Sequence, residues 1–259
     1  MIDSLYIGAT GMHAQQQHVD AIANNLANVN TTGFKKSRVT FEDAFYRVTQ
    51  ASVADPVAGV QPLVLGLGTL VSSTSKSFTP GEIKQTDGPL DLAIRGNGFF
   101  EVTQPDGSSA YTRHGVFRVN NDGLLATPSG YAIKPAIQVP PEALEVVIAA
   151  DGTVSARMPG EASLTELGQI ELAMFTNPSG LDPIGENLYL ASEASGQATL
   201  VRAGEEGSGA LAQGYLESSN VKLAEEMVNL VLAQRAYELN ARVIQVSDEM
   251  LSISNNLRR

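Results

Sequence analysis

Leu223-Ala224-Glu225-Glu226-Met227-Val228-Asn229-Leu230-Val231-Leu232-Ala233-Gln234-Arg235-Ala236-Tyr237 opens the segment that decides the fold. Leu223, Leu230, Tyr237, Ile244 and Leu251 recur every seven residues, and Met227 and Ala241 lie four beyond two of them and widen the stripe. An apolar period of seven marks a helix that lays one face along a partner. Neither Gly nor Pro interrupts 221–259, and Ser218 or Ser219 can cap the start. The spacing predicts one helix over 218–257, ~60 Å long at ~1.5 Å per residue. Such a helix is longer than an ordinary domain needs, so its stripe calls for partners beyond this chain's own core.

The other end of the chain carries a matching pattern. Leu5, Met12, Val19 and Leu26 are spaced by seven, and Ile22 and Val29 stand three residues on from the last two. The spacing predicts a helix over 3–30, stopped by Thr31-Thr32-Gly33, because glycine adopts the left-handed conformation cheaply. Its polar residues are mostly uncharged: Gln15, Gln16, Gln17, Asn24, Asn25 and Asn28. That composition suits a crowded, partly buried helix. An intramolecular hairpin of the two helices would satisfy part of both stripes.

Between them the period shortens to that of strands. Candidates run over 94–102 through Gly96 and Gly98, 110–113, 116–120, 146–149, 154–156, 168–175 and 185–190. Turns fall at Pro105-Asp106-Gly107-Ser108, Asn121-Asp122-Gly123, Pro128-Ser129-Gly130 and Asp151-Gly152. Short strands joined by such turns indicate an antiparallel β domain. The fold class expected is therefore α+β, with long coiled-coil-like terminal helices bracketing a mainly antiparallel β domain. The divisions are 1–33 (N-terminal helix), 34–76 (extended connector), 77–205 (β domain) and 206–259 (return connection and C-terminal helix). Within the connector, 51–75 holds one charged residue, Asp55, and reads as extended chain that orders against a neighbour, with a plain internal loop as the alternative.

Charge follows the same division. The 259 residues carry 17 Lys+Arg against 28 Asp+Glu, a net charge of −11. Residues 1–50 sum to zero and 217–259 to −1, so the middle holds −10. Acidity of this size argues against nucleic-acid binding, which needs a basic surface. A solvated acidic middle with neutral ends permits close association of the ends. There is no Cys, so disulfides, thiolate metal sites and cysteine nucleophiles are excluded. No apolar run is long enough to span a membrane, so no membrane insertion is expected, and no cleavable signal peptide is visible.

Gly96-Asn97-Gly98 begins like a dinucleotide fingerprint but lacks the third glycine and leads into strand, so backbone close approach is the better reading. His13 and His18 are five apart, on different helix faces, and there is no H-E-x-x-H. His114 has no implied partner. Neither G-x-S-x-G nor a phosphate loop occurs. Asn30-Thr31-Thr32 fits a glycosylation sequon, which arises easily by chance. No catalytic residue, metal or cofactor is expected. A β-domain binding module or enzyme with helical oligomerisation arms is the alternative from another class.

Ala23-Asn24-Asn25-Leu26-Ala27-Asn28-Val29-Asn30-Thr31-Thr32-Gly33-Phe34-Lys35 resembles the N-terminal signature of flagellar axial proteins, the rod, hook and hook-associated components. Gly214-Tyr215-Leu216-Glu217-Ser218-Ser219-Asn220-Val221 and Gln234-Arg235-Ala236-Tyr237-Glu238-Leu239-Asn240-Ala241 resemble the C-terminal one. The motifs Gly98-Phe99-Phe100, 105–113 and Ile184-Gly185-Glu186-Asn187-Leu188-Tyr189 are similar to those of rod members, with a proximal rod or hook-type subunit as the neighbouring reading. The resemblance implies a non-enzymatic subunit of the basal-body rod, a helical homopolymer forming a rigid hollow drive shaft that carries torque and lines the export channel. It also implies delivery by the flagellar type III export apparatus to a rod spanning the periplasm. Proximal rod proteins, the hook protein and the P and L rings become expected partners. The two helical stripes become the expected subunit interface. In the motifs, Asn24, Asn25, Asn28, Gly33, Phe34, Asn220, Gln234, Arg235, Ala236 and Tyr237 are the residues to follow. The lack of Cys suits a chain that folds in an oxidising compartment.

Overall fold

The structure is a computed structural model that describes residues 2–49, 63–160 and 163–256. It divides into two units: Met1–Ala27 with Ser37–Ser75 and Lys222–Arg259, and Asn28–Lys36 with Lys76–Val221. The first, the helical unit, holds both α-helices; the second, the β unit, holds most of the strands. As the sequence predicts, the fold is α+β, with the helices at the two ends of the chain.

The helical unit contains α1 (Ile2–Ala27) and α2 (Leu223–Asn256), together with β1 (Ser37–Asp43), β2 (Tyr46–Thr49), β3 (Leu63–Gly66) and β4 (Thr69–Lys76). β1 pairs with β4, and β2 pairs antiparallel with β3. The connector expected over 34–76 is thus strand wherever it is described from 37 onward, apart from short bends. The part over 50–62 lies outside the described residues. α1 stops at Ala27, earlier than expected, because Asn28 takes over the backbone: its carbonyl accepts from the Thr31 N–H at 3.2 Å and its side chain from the Thr31 hydroxyl at 3.1 Å. α2 starts at Leu223 and not near 218, because 215–217 is committed to a sheet. Ser219 makes a local turn, its Oγ accepting from the Val221 N–H at 3.3 Å, and does not cap the helix. The 34 residues of α2 span ~51 Å at ~1.5 Å each.

The β unit holds β5 (Ile83–Gln85), β6 (Leu92–Arg95), β7 (Phe99–Thr103), β8 (Ser109–Thr112), β9 (Arg118–Val119), β10 (Leu125–Ala126), β11 (Ala132–Ile133) and β12 (Glu145–Ile148). It continues with β13 (Thr153–Arg157), β14 (Leu164–Gln169), β15 (Glu171–Met174), β16 (Asp182–Gly185), β17 (Leu188–Leu190), β18 (Thr199–Arg202), β19 (Ala210–Gln213) and β20 (Tyr215–Glu217). β16-β17-β8-β7-β11-β10-β9 form the largest sheet. β7 is its hub: Val102 and Thr103 pair with β11, while Phe99 and Phe100 pair with β15, which leads to β18. β12-β13-β14 form a meander, and β6–β19 and β5–β20 are two-stranded.

Local chemistry explains the turns. The Asp151 carboxylate accepts the Thr153 N–H at 3.0 Å, which holds its carboxyl below the ordinary range and closes the β12–β13 hairpin. Its register places Val146 opposite Ala156 and Ile148 opposite Val154. Asn120 Oδ1 accepts from the N–H groups of Asp122 and Leu124. The strand read over 94–102 is two strands, because Gly96 and Gly98 both have positive φ, which turns the chain between β6 and β7. The run over 168–175 likewise breaks at Ile170, and 185–190 is a hairpin turning at Glu186 and Asn187, both left-handed.

The apolar cores belong to this unit. Phe100, Phe117, Leu125, Ile133, Ile148, Val154, Ile170 and Leu172 pack in one cluster. Phe99, Tyr111, Phe175, Leu181 and Tyr189 form a second, whose rings meet edge to face. Val102, Ala110 and Leu188 form a third.

Candidate assembly surface

The helix pair of the first unit meets along a seam of small and polar side chains. Gly8, Ala14, Ile22 and Asn25 are buried on α1, and Glu226, Ala233 and Ser247 on α2. A Cβ on Gly8 would lie 2.8 Å from Ile244 Cγ1, so this glycine sets a close helix approach, and one on Gly11 would lie 2.8 Å from the end of the Asn240 side chain. Asn25 ties the seam to β1: its amide donates to Ser37 O (2.9 Å) and to Glu226 Oε2 (3.3 Å), and its Oδ1 accepts the Ser37 N–H (2.8 Å). His18 sits nearby, edge-on to Phe41. Burial lowers its pKa, and the Glu226 charge works against that.

Apart from Ile22, the stripe residues singled out from the sequence fall around this seam, not in it. Leu5, Met12, Val19 and Leu26 are half-buried flanks, and only Ile22 of that set is buried; Val29 lies beyond the end of α1. On α2, Leu230, Ile244 and Leu251 are half-buried, whereas Leu223, Met227 and Tyr237 are exposed. The reason is volume: glycine, alanine and asparagine let two backbones approach where leucines would hold them apart.

The motif residues do varied work. Asn24 is exposed, Asn25 buried and Asn28 half-buried. Gly33 has φ +69°, and a Cβ there would meet the His114 backbone N at 2.7 Å. Phe34 is buried beneath the Lys76 ammonium, 4.6 Å from its ring centre. Asn220 accepts the Lys36 N–H and donates to Ser77 O. On α2, Gln234, Arg235 and Tyr237 are exposed and Ala236 half-buried, with Arg235 paired to Glu238 at 2.8 Å.

A second column on α2 escaped the sequence reading. Leu232, Leu239, Val246 and Ile253 are also spaced by seven, and all four are exposed, as are Val228, Val231, Val243 and Met250 beside them. Leu232 and Val246 each directly precede a buried seam residue, Ala233 and Ser247, so the column lies about 100° around the helix from the seam. β1 and β2 add exposed Phe41 and Tyr46, with Phe45 between them 82% exposed. Of the twenty-two large apolar side chains exposed among the described residues, seventeen are in the helical unit. None of the three apolar clusters is.

The β unit has a surface cleft of about 690 Å³ lined mainly by Pro89, Leu90, Val119, Val139, Leu144 and Val146. Its carboxylates are Asp122 and Glu145, and no His, Lys or Arg lines it. Among the described residues no group of His, Cys, Asp and Glu is placed to hold a metal, and no helix is long and apolar enough to cross a membrane.

Known proteins match along the whole chain. Residues 5–35 match the family described as flagella basal body rod protein, 93–156 the flagellar hook protein FlgE/F/G D1 domain, and 212–257 the flagellar basal body rod FlgEFG protein C-terminal family. The flagellar basal-body rod protein FlgG of Buchnera aphidicola is 46% identical over 254 residues, 97% of this chain and 98% of the relative. That of Borreliella burgdorferi is 45% identical over the full length of both. The FlgF protein of Caulobacter vibrioides stands further off, 33% identical over 96% of this chain and 95% of its own. The chain belongs to the flagellar basal-body rod protein family, within its FlgG group.

Proposed function

We propose that this chain is the structural subunit of the distal rod, polymerising helically into a rigid hollow shaft that transmits torque to the hook and lines the export channel. The observation that carries the reading is the division of apolar surface. The helical unit buries only Ile22 and Val39 among its described apolar side chains larger than alanine, yet holds most of the large apolar side chains that are exposed among the described residues. A pair of helices in that state lacks the burial that ordinarily stabilises them. Copies of the chain packed head to tail would supply it, and a heterologous contact that does not close builds a filament.

In this reading the flanks Leu5, Met12, Val19, Leu230, Ile244 and Leu251 and the outer column Leu232, Leu239, Val246 and Ile253 meet neighbouring copies. The acidic β unit faces water and the surrounding P and L rings. Proximal rod proteins and the hook protein adjoin the ends of the polymer in the periplasm, and the flagellar type III export apparatus delivers the chain. No enzymatic activity is assigned.

Leu239→Asp tests the assembly surface. Leu239 is 63% exposed, so the charge leaves the monomer fold untouched. Electron microscopy of purified protein should show straight tubes for the wild type and none for the variant, with unchanged β-sheet circular dichroism. Tubes of normal length from Leu239→Asp would overturn the assignment. Leu230→Asp is the weaker test, because half-buried Leu230 also borders the seam within the chain.

A further inference from the structure

The β unit seals three charges into its interior. Lys35, Glu217 and Arg113 are 0%, 2% and 4% exposed. Glu217 Oε1 accepts from Lys35 Nζ at 2.6 Å and from the Gly81 N–H at 2.8 Å, and Oε2 accepts from Arg113 Nη1 at 3.2 Å. Lys35 also donates to Thr79 O, and Arg113 to Gly96 O, with its guanidinium over Phe99. Burial pulls Lys35 and Arg113 below their ordinary pKa values, and Glu217 works against that in both cases. Two cations therefore share one anion, and Arg113 Nε has no partner.

The order of these residues along the chain is the telling feature. Lys35 precedes every strand of the β unit, Arg113 follows its fourth, and Glu217 ends its last. The segment around Glu217 also closes the backbone: Gly33 N–H donates to Glu217 O, Ser218 N–H to Glu82 O, and β20 completes the pair with β5. A Cβ on Gly81 would lie 2.0 Å from Ser218 O, so this closing segment lies tightly on 79–82. Without Glu217, two cations would be buried against no formal charge among their bonded partners, which folded interiors do not tolerate.

We propose that Glu217 is a chain-completion lock: the β unit closes over Lys35 and Arg113 only when the carboxylate from its last strand arrives, so an incomplete chain holds an open β unit. Any chain made or threaded from its N-terminus delivers the cations first and the anion last, so the lock holds independently of the assembly reading. Its value to an assembling subunit is that premature closure is avoided.

Glu217→Gln in the full-length chain tests it by stopped-flow unfolding and refolding. A lock that engages last leaves the refolding rate within about threefold of wild type and raises the unfolding rate ~100-fold. Hydrogen exchange should quicken at Gly33, Gly81 and Ser218 while β13 stays protected. Loss carried by slower refolding, protection lost evenly across the sheets, or no change in either rate would overturn the proposal. If Glu217→Gln does not fold, Lys35→Met/Glu217→Gln, which buries one cation fewer, is measured in the same way against the same outcomes.

Discussion

The two units of this chain use apolar residues in opposite ways. In the β unit, Phe100, Leu125, Ile133 and Leu172 are inside, and the surface carries the acidic charge. In the helical unit the seam is Gly8, Ala14, Ile22, Asn25, Glu226, Ala233 and Ser247, mostly small or polar, and Leu232, Leu239, Val246 and Ile253 are outside. The β unit is arranged to be stable as a monomer. The helical unit holds two helices close while leaving its large side chains exposed. Apolar residues at seven-residue spacing thus tell which elements associate, but not whether the partner is within the chain or outside it.

The sharpest way to break this comparison is to delete one large apolar side chain from each unit. Phe100→Ala should cost ~3–5 kcal/mol through lost burial and a cavity in the hub strand β7. Leu239→Ala should change monomer stability by no more than about 0.5 kcal/mol. Urea unfolding of the monomer, followed by near-ultraviolet and helical signals separately, measures both. A Leu239→Ala cost approaching that of Phe100→Ala would mean that α2 is already covered in the monomer.

Glycines offer a finer version. A Cβ on Gly115 would lie 1.7 Å from the carbonyl oxygen of Leu92, a backbone atom fixed in the β unit. Gly115→Ala should therefore cost ~1–3 kcal/mol. At Gly11 the obstacle is the end of the Asn240 side chain, which can swing aside. Gly11→Ala should then gain up to ~1 kcal/mol of helix stability, read as a higher helical melting temperature. Destabilisation at Gly11 equal to that at Gly115 would show the seam to be as rigid as the sheet.

Much of the architecture was legible because its causes are local. Asp151-Gly152 between apolar runs fixed the β12–β13 hairpin, and seven-residue periods marked both helices. Helix ends were misjudged where side chains competed with the backbone, as at Asn28, or where strand pairing claimed 215–217. The seam itself was not legible, because its buried positions are small or polar and carry no apolar signal. The outer column of α2 was present in the spacing but was eclipsed by the parallel column through Leu230 and Ile244. Nothing local could link Lys35 and Arg113 to Glu217, which stands 182 and 104 residues from them in the chain.

The smallest expected effects separate the units by pH. Burial lowers the folded pKa of His18 below 6.5, so the unfolded chain binds the proton first. The helical unit should lose stability as pH falls below about 6.5, and His18→Gln should remove that loss. Lys35 has a folded pKa below 10.5, so there too the unfolded chain binds more protons over the interval beneath 10.5. The β unit should gain stability as pH rises through that interval, because a neutral Lys35 leaves Glu217 and Arg113 as a balanced pair. Thermal melts of wild type and Lys35→Met, compared at neutral and at alkaline pH, isolate this contribution from the tyrosines common to both. The wild type should gain on the variant as pH rises. If it lost ground, the charged Lys35–Glu217 pair would be the more stable form of the buried cluster, and two cations on one carboxylate would be no burden to the β unit.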